Sequence, residues 1–247
     1  MQLNISTMAN KQELLFDGKE KRIFATDEPD KVIIHYKDVT TAFGGVKKAV
    51  LKDKGKCNNV ISGIIFANLS RAGIHTHYIE TVGEREQLCR KIELIPLQLV
   101  VRNRLAGTTA DLLGVEDGTR IPNTVYEIRY NNDELGDPMI CRDHAIALGI
   151  VTYDELDYMM SLAAKTNEVL KALFLKAGIE LVDFKMECGR SSDGEIIISD
   201  EISPDNSRLW DIATGERLDK DRFRRDLSDV CASYREVKDR LLKLEQQ

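Results

Sequence analysis

Apolar positions along this chain repeat with two periods, and the switch between them marks its elements. In the first third the period is close to two. Leu14-Leu15-Phe16 and Arg22-Ile23-Phe24 flank Asp17-Gly18, a pair suited to a hairpin turn, and Val32-Ile33-Ile34-His35-Tyr36 predicts a further strand. Residues 56–71 carry helical apolar spacing and stop before Gly73. Residues 92–101 read as a buried strand broken at Pro96.

The later part mixes both periods. Thr152 and Glu155 form a capping-box pattern that opens a helix, with Leu156, Met159, Ala163, Leu170, Leu173 and Ala177 on its apolar face. Gly178 is placed to end it. A second long helix is predicted from Asp219 or Asp221 almost to the end of the chain. Its stripe of Phe223, Leu227, Val230, Tyr234, Val237, Leu241 and Leu244 steps by three and four. Such a stripe serves a coiled coil or, more often, a helix packed on its own domain. Between these helices, residues 181–187 and 195–200 form two strands around Asp193-Gly194. The class is α+β, with a β-rich N-lobe over residues 1–90 and a larger mixed C-lobe over residues 91–247. No repeat or low-complexity linker marks the boundary.

Composition narrows the function. The chain has 247 residues, 43% hydrophobic and 31% charged, enough for a sizeable core. A net charge of −6 argues against a nucleic-acid or anionic-membrane binder, so phosphate recognition would depend on local Lys and Arg clusters. Cys57, Cys89, Cys141, Cys188 and Cys231 lack zinc or redox spacing and read as reduced thiols of a cytoplasmic protein. The opening residues lack the apolar run of a signal peptide, and residues 92–101, the most apolar stretch, are too few to span a bilayer.

Candidate chemistry concentrates in residues 180–200. Val182, Phe184 and Met186 share one strand face, and Asp183, Lys185 and Glu187 share the other. If Asp193-Gly194 makes a two-residue turn, Ser192 pairs with Glu195 and Glu187 falls opposite Asp200, with Cβ atoms about 5 Å apart. Two carboxylates so placed repel unless a cation or proton lies between them. A few hard oxygens completed by phosphate and water suit Mg²⁺. A solvated hairpin whose charges face water fits the same pattern.

Lys19 and Lys21 follow Gly18 and point to one face, where they could cover a polyphosphate or line an exposed edge. Arg102 and Arg104 end an apolar strand, and Gly107-Thr108-Thr109 leads into a helix start at Asp111-Leu112-Leu113. That arrangement makes a phosphate site or an ordinary capped helix. Residues 203–211 form a polar turn containing Trp210, the only tryptophan, in which Arg208 can read an anion or pair with an acid. Arg222, Arg224 and Arg225 open the last helix, with one facing inward or all solvated. His75 and His77 lack a third ligand and read as structural. Walker A, Gly-x-Gly-x-x-Gly and Gly-x-Ser-x-Gly motifs are absent, as are kinase His-Arg-Asp and Asp-Phe-Gly elements. The residues point to phosphate and Mg²⁺ without naming a reaction.

At these positions the sequence resembles the phosphoribosylaminoimidazole-succinocarboxamide synthase (SAICAR synthetase) family nearly end to end. The likeness is carried by Gly18-Lys19-Glu20-Lys21 and by residues 100–107, 181–187, 200–205, 207–211 and 221–224. The resemblance implies a two-lobed fold similar to the ATP-grasp and protein-kinase-like architectures, with ATP between the lobes. It implies an ATP-dependent ligase of purine biosynthesis that joins aspartate to carboxyaminoimidazole ribonucleotide, with Mg²⁺ as cofactor. By the same resemblance Lys19 and Lys21 meet ATP phosphates, and Lys91, Glu93 and Leu94 belong to an inter-lobe segment that reads adenine through backbone groups. Glu187 and Asp200 would hold metal. Arg102, Thr108, Asp183, Lys185, Arg208 and Arg224 would form the ribonucleotide side, with Asp183 and Lys185 as its catalytic members. Small molecules are the expected partners, without nucleic acid or membrane, and a homodimer stays open as the assembly. Two positions depart from the family pattern: Asn131 stands where Lys is usual, and Gly44 where Asn or Asp is common.

Elementary chemistry agrees with that implication. A carboxylate resists attack by an amine because its oxygen leaves poorly, and phosphorylation makes that oxygen a good leaving group. The site must gather cations around the transferring phosphoryl group, hold the acceptor in line and keep water from the acyl phosphate. A small-molecule kinase of similar fold and a silent nucleotide-binding module would draw on the same residues.

Overall fold

The structure, a computed structural model, describes residues 9–42 and 45–246, so Phe43 and Gly44 of the loop noted above lie outside the described residues, as do residues 1–8. Strands β1 (Lys11–Asp17), β2 (Lys21–Thr26) and β3 (Lys31–Tyr36) form an antiparallel meander. The turn of its first hairpin lies two residues beyond the Asp17-Gly18 pair expected to make it. Asp17 pairs with Arg22, and the Gly18 N–H donates to the Lys21 carbonyl at 2.9 Å, which leaves Lys19 and Glu20 at the tip.

The small hairpin of β4 (Val39–Ala42) and β5 (Lys47–Val50) and helix α1 (Lys54–Arg71) follow. Strands β6 (Tyr78–Gly83) and β7 (Glu86–Arg90) then complete a five-stranded sheet in the order β1-β2-β3-β7-β6. Val32, Ile34, Tyr36 and Cys89 form its own small apolar cluster, with Ile23 against them.

A second sheet is built on β8 (Ile92–Leu105), which runs through Pro96 without breaking. The ladder from β8 to its later partner steps from Glu187↔Gln98 to Gly189↔Leu94, so β8 carries extra residues where the proline sits. A bulge needs no N–H from that position, and the Pro96 carbonyl still accepts from Asn131 at 3.0 Å.

After β8 come α2 (Thr108–Leu113), β9 (Thr119–Tyr130), β10 (Met139–Ile140) and α3 (Arg142–Ala147). Helix α4 (Tyr153–Lys176) opens on the expected capping box, with reciprocal hydrogen bonds between Thr152 and Glu155, and ends before Gly178 at φ 70°. Strands β11 (Ile179–Ser191), β12 (Ile196–Ser199) and β13 (Ser207–Asp211) complete the sheet, in the order β10-β9-β8-β11-β12 with β13 also on β11.

The single terminal helix expected from the stripe is two helices, α5 (Asp221–Arg224) and α6 (Val230–Glu245). Asp226 and Asp229 take left-handed φ of 57° and 60° between them, a conformation that short polar side chains tolerate and a helix does not. Leu227 is consequently exposed, while Tyr234, Val237 and Leu241 of α6 face the main core.

Helix α1, although early in sequence, belongs to that core. Its Ile61, Ile65, Phe66 and Leu69 pack with Leu156, Met159 and Phe174 of α4 and with Met186 and Ile198 of the second sheet. The α+β fold thus has two lobes that share one helix layer. Among the described residues, no helix is long and apolar enough to cross a membrane.

Candidate active site

Strand β11 supplies the floor of a cavity of about 810 Å³. Phe184 and Met186 are fully buried in the main core, so alternation turns Asp183, Lys185 and Glu187 to the opposite face, where they line the cavity. Strand β8 runs antiparallel beside it, with Arg102 opposite Asp183, Val100 opposite Lys185 and Gln98 opposite Glu187.

The observed register corrects the expected carboxylate pairing. Glu187 lies opposite Ser199, not Asp200. The connection contains three residues rather than two: the Ser191 N–H bonds the Glu195 carbonyl at 2.9 Å, and Gly194 takes φ 86°. Asp200 follows the end of β12 at φ 62°, and this left-handed bend brings its carboxylate to Lys21. It still lies close enough for its charge to raise the Glu187 carboxyl.

Electrostatics in this part of the cavity are tightly balanced. Burial, and then the Asp200 charge, push the Glu187 carboxyl above its usual range, against the pull of Lys185 at 2.8 Å. Burial also opposes the charge on Asp200, but Lys21 and Lys185 outweigh it and hold that carboxyl below its usual range. Lys185 is desolvated too, yet Glu187 and Asp200 keep its pKa above the ordinary lysine value. Glu201 is buried, lies 3.2 Å from Lys21, and has an Oε2 without a hydrogen-bond partner among the described residues. Three carboxylates thus share two ammonium groups, and a set of hard oxygens short of positive charge fits a divalent cation.

Glu20, Glu201 and Asp205 form a closer carboxylate group, with ligand atoms within 4.8 Å of one another. In that group Glu20 and Asp205 are already paired, and Glu201 is the member it shares with the set above. Lys54 lies 2.5 Å from Asp205 and 3.3 Å from Glu20, and Lys220 lies 2.7 Å from Glu20.

The far end of the cavity is a guanidinium cluster. Arg102 is 3% exposed and donates to Glu127 at 2.5 and 2.9 Å and to Asp183 at 2.7 Å, which commits three of its five N–H groups. Arg208 on β13 donates to Asp183 and Asp221, each at 2.9 Å. Burial disfavours its charge, but these two carboxylates raise its pKa above the ordinary arginine value. Arg224 on α5 donates to Asp221 at 2.6 Å. Gly107, at φ 59°, precedes α2, and the Arg208 guanidinium fills the space a Cβ would take there.

Lys19, Lys21, Arg102, Thr108, Asp183, Lys185, Glu187, Asp200, Arg208 and Arg224 all line this one cavity. Lys91, Glu93 and Leu94 do not; they are exposed where β7 passes into β8. Asn131 lines the cavity, its Oδ1 accepting from Gln98 at 2.9 Å. His77 packs edge-on against Phe66, and burial lowers its pKa to about 4, while His75 pairs with Glu195 at the surface.

Sequence reasoning missed Glu20, Lys54, Glu127, Asp205, Lys220 and Asp221. Glu20, Asp205 and Asp221 stood inside segments that carry the resemblance without being given a role there, and Glu127 had a local signal of its own, a single charge between Tyr126 and Ile128 in an alternating strand. Glu20 and Lys220 are 200 residues apart and carry no spacing that links them.

Comparison with known proteins is consistent across sequence and structure. The family model for SAICAR synthetase matches residues 14–241. The phosphoribosylaminoimidazole-succinocarboxamide synthase of Clostridium botulinum (strain Alaska E43 / Type E3) is 51% identical over 233 residues, which cover 94% of this chain and 99% of that protein. The crystal structure of the Ehrlichia chaffeensis synthase of the same name has a TM-score of 0.91 at 44% identity, covering 93% of this chain and 98% of that one. A SAICAR synthetase in complex with ADP has a TM-score of 0.89 at 43% identity, covering 93% and 97%.

Proposed function

The chain belongs to the SAICAR synthetase family, and from that premise we propose that it ligates aspartate to the carboxylate of carboxyaminoimidazole ribonucleotide at the expense of ATP, in purine biosynthesis. The products are the succinocarboxamide ribonucleotide, ADP and phosphate. The observation that carries this reading is the meeting, in one cavity, of two hairpin lysines, the Glu187 and Asp200 carboxylates and a guanidinium cluster.

The division of labour follows from the charges. Lys19 and Lys21 receive the ATP phosphates, with adenine toward the backbone of Lys91, Glu93 and Leu94. Glu187 and Asp200 would hold Mg²⁺, which when bound supplies neutralisation of the transferring phosphoryl group. Lys185, 2.8 Å from Glu187, steadies developing negative charge. Asp183, fixed by Arg102 and Arg208, orients the imidazole end of the ribonucleotide, while Thr108, Arg208 and Arg224 take its phosphate.

A carboxylate oxygen of the ribonucleotide attacks the terminal phosphorus of ATP, and ADP leaves. The aspartate amine then adds to the carboxyl carbon of this acyl phosphate, loses a proton, and expels phosphate. The ADP-bound relative and the shared name of the curated relatives support the reading. We place the lobe boundary after residue 90, supported by β7 ending at Arg90 and β8 starting at Ile92. A cytoplasmic setting is supported by five free cysteines, and a homodimer by the exposed Leu112 and Leu113 on α2.

The test is isotopic. Ribonucleotide labelled with oxygen-18 in its carboxylate is expected to give one labelled oxygen per phosphate released, alongside the amide. Unlabelled phosphate accompanying a genuine amide would sink the acyl phosphate. A stable phosphorylated product that needs no aspartate would make the protein a kinase.

A further inference from the structure

Three consecutive residues at the tip of the first hairpin reach three separate parts of the opposite lobe. Lys19 pairs with Asp133 at 2.8 Å, Lys21 with Asp200 and Glu201, and Glu20 with Lys220 at 2.7 Å. The lysines are the groups that the proposed function turns toward phosphate. Glu20, between them, has no such task and is the best anchored of the three.

One Glu20 oxygen accepts from the Thr41 N–H at 3.0 Å, the Thr41 hydroxyl at 3.2 Å and Lys220; the other accepts from Lys54 at 3.3 Å. Lys54 is 2% exposed and is pinned in turn by the Val39 carbonyl at 2.7 Å and by Asp205 at 2.5 Å. The Lys19 pair, by contrast, lies at the surface, with side chains 46% and 71% exposed. Lys21 holds carboxylates for which an entering cation would compete, and phosphate would compete for Lys21 itself. The Glu20 anchor needs no exchange of partners when a nucleotide enters.

We infer that Glu20 is a positioning residue for the nucleotide. By bridging Lys54 beneath the hairpin and Lys220 across the cleft, it fixes the turn at the height where Lys19 and Lys21 meet a polyphosphate, without touching the nucleotide itself. The inference rests on the reading of this cavity as an ATP site.

The test measures ADP affinity by calorimetry, and KM for ATP and for the ribonucleotide, in wild type, Glu20→Gln, Glu20→Ala, Lys220→Met and the double variant Glu20→Gln/Lys220→Met. Glu20→Gln keeps the side-chain length and the Thr41 bond but loses the charge. It is expected to weaken ADP binding about tenfold, roughly 1.4 kcal/mol, with a parallel rise in KM for ATP. KM for the ribonucleotide is expected to stay within about twofold. Lys220→Met should add little to Glu20→Gln, because both remove the same bridge.

Additive losses in the double variant would overturn the inference, and so would ADP affinity within about twofold of wild type in both Glu20 variants. A lower unfolding midpoint with unchanged ADP affinity per folded molecule would mark Glu20 as merely structural and overturn it as well. Wild-type protein that bound no ADP would instead sink the ATP-site reading, and the inference with it.

Discussion

Replacing Arg102 by alanine exposes the cost of unpairing carboxylates inside the cavity wall. The wild-type guanidinium makes two bonds to Glu127 and one to Asp183, both carboxylates being nearly inaccessible. After the change Glu127 retains Thr109 at 2.7 Å and Arg129 at 3.3 Å, and Asp183 retains Arg208 at 2.9 Å. Removing one partner of a buried pair costs about 3–5 kcal/mol, and these surviving donors place the loss near the lower figure. In a chain of 247 residues, a loss of about 3 kcal/mol lowers Tm by roughly 6–12 °C.

The loss must also depend on pH. Burial pushes the Glu127 carboxyl up, but the Arg102 hydrogen bond and charge more than reverse this and hold it below the usual range. A carboxyl depressed in the folded state contributes stability above its unfolded pKa of about 4.3, and that contribution fades as pH falls through the folded value. The variant lacks it. The gap between the two proteins should therefore be widest near pH 7 and narrow below about pH 4.3. Urea midpoints of both proteins across that range measure it. A gap below about 1 kcal/mol at neutral pH, or one that stays constant or widens on acidification, refutes the reasoning.

Two further changes probe the reacting parts. Glu187→Gln and Asp200→Asn should each lower Mg²⁺-dependent turnover at least about a hundredfold while circular dichroism shows the fold retained; the unfolding midpoint should hold for Glu187→Gln, whose charge burial and Asp200 disfavour, and fall for Asp200→Asn, which strips Lys21 of a partner. Near-wild-type activity in either would remove that residue from the metal site. Gly107→Ala forces a side chain into a backbone at φ 59° and into the Arg208 guanidinium, so KM for the ribonucleotide should rise at least about tenfold; an unchanged KM would show that Arg208 does not hold that substrate.

What the sequence disclosed, it disclosed through periods. The β11 face with Asp183, Lys185 and Glu187 was legible because its other face is core, and α4 because its cap and apolar stripe agree. Asp193-Gly194 suits a two-residue and a three-residue connection equally, and the choice moved Glu187 from Asp200 to Ser199. Apolar spacing passes unbroken through residues 219–244, while the interruption depends on Asp226 and Asp229 accepting left-handed backbone. Pro96 reads as a breaker until a second strand supplies the ladder in which a bulge can form. The charged layer beneath the hairpin stayed hidden for another reason. Glu20, Lys54, Asp205 and Lys220 lie in four separate segments, each among other polar residues, and only tertiary structure makes them neighbours.

The alternation of β11 also limits how this protein can change over generations. Gain or loss of one residue within the strand would exchange its faces, sending Lys185 and Glu187 into the core and Phe184 and Met186 into the cavity. A point substitution there alters one side chain, whereas a single-residue insertion or deletion displaces every side chain beyond it. Length variation among descendants of this chain should therefore collect in connections such as residues 192–194, where an added residue meets solvent and leaves the ladder in step.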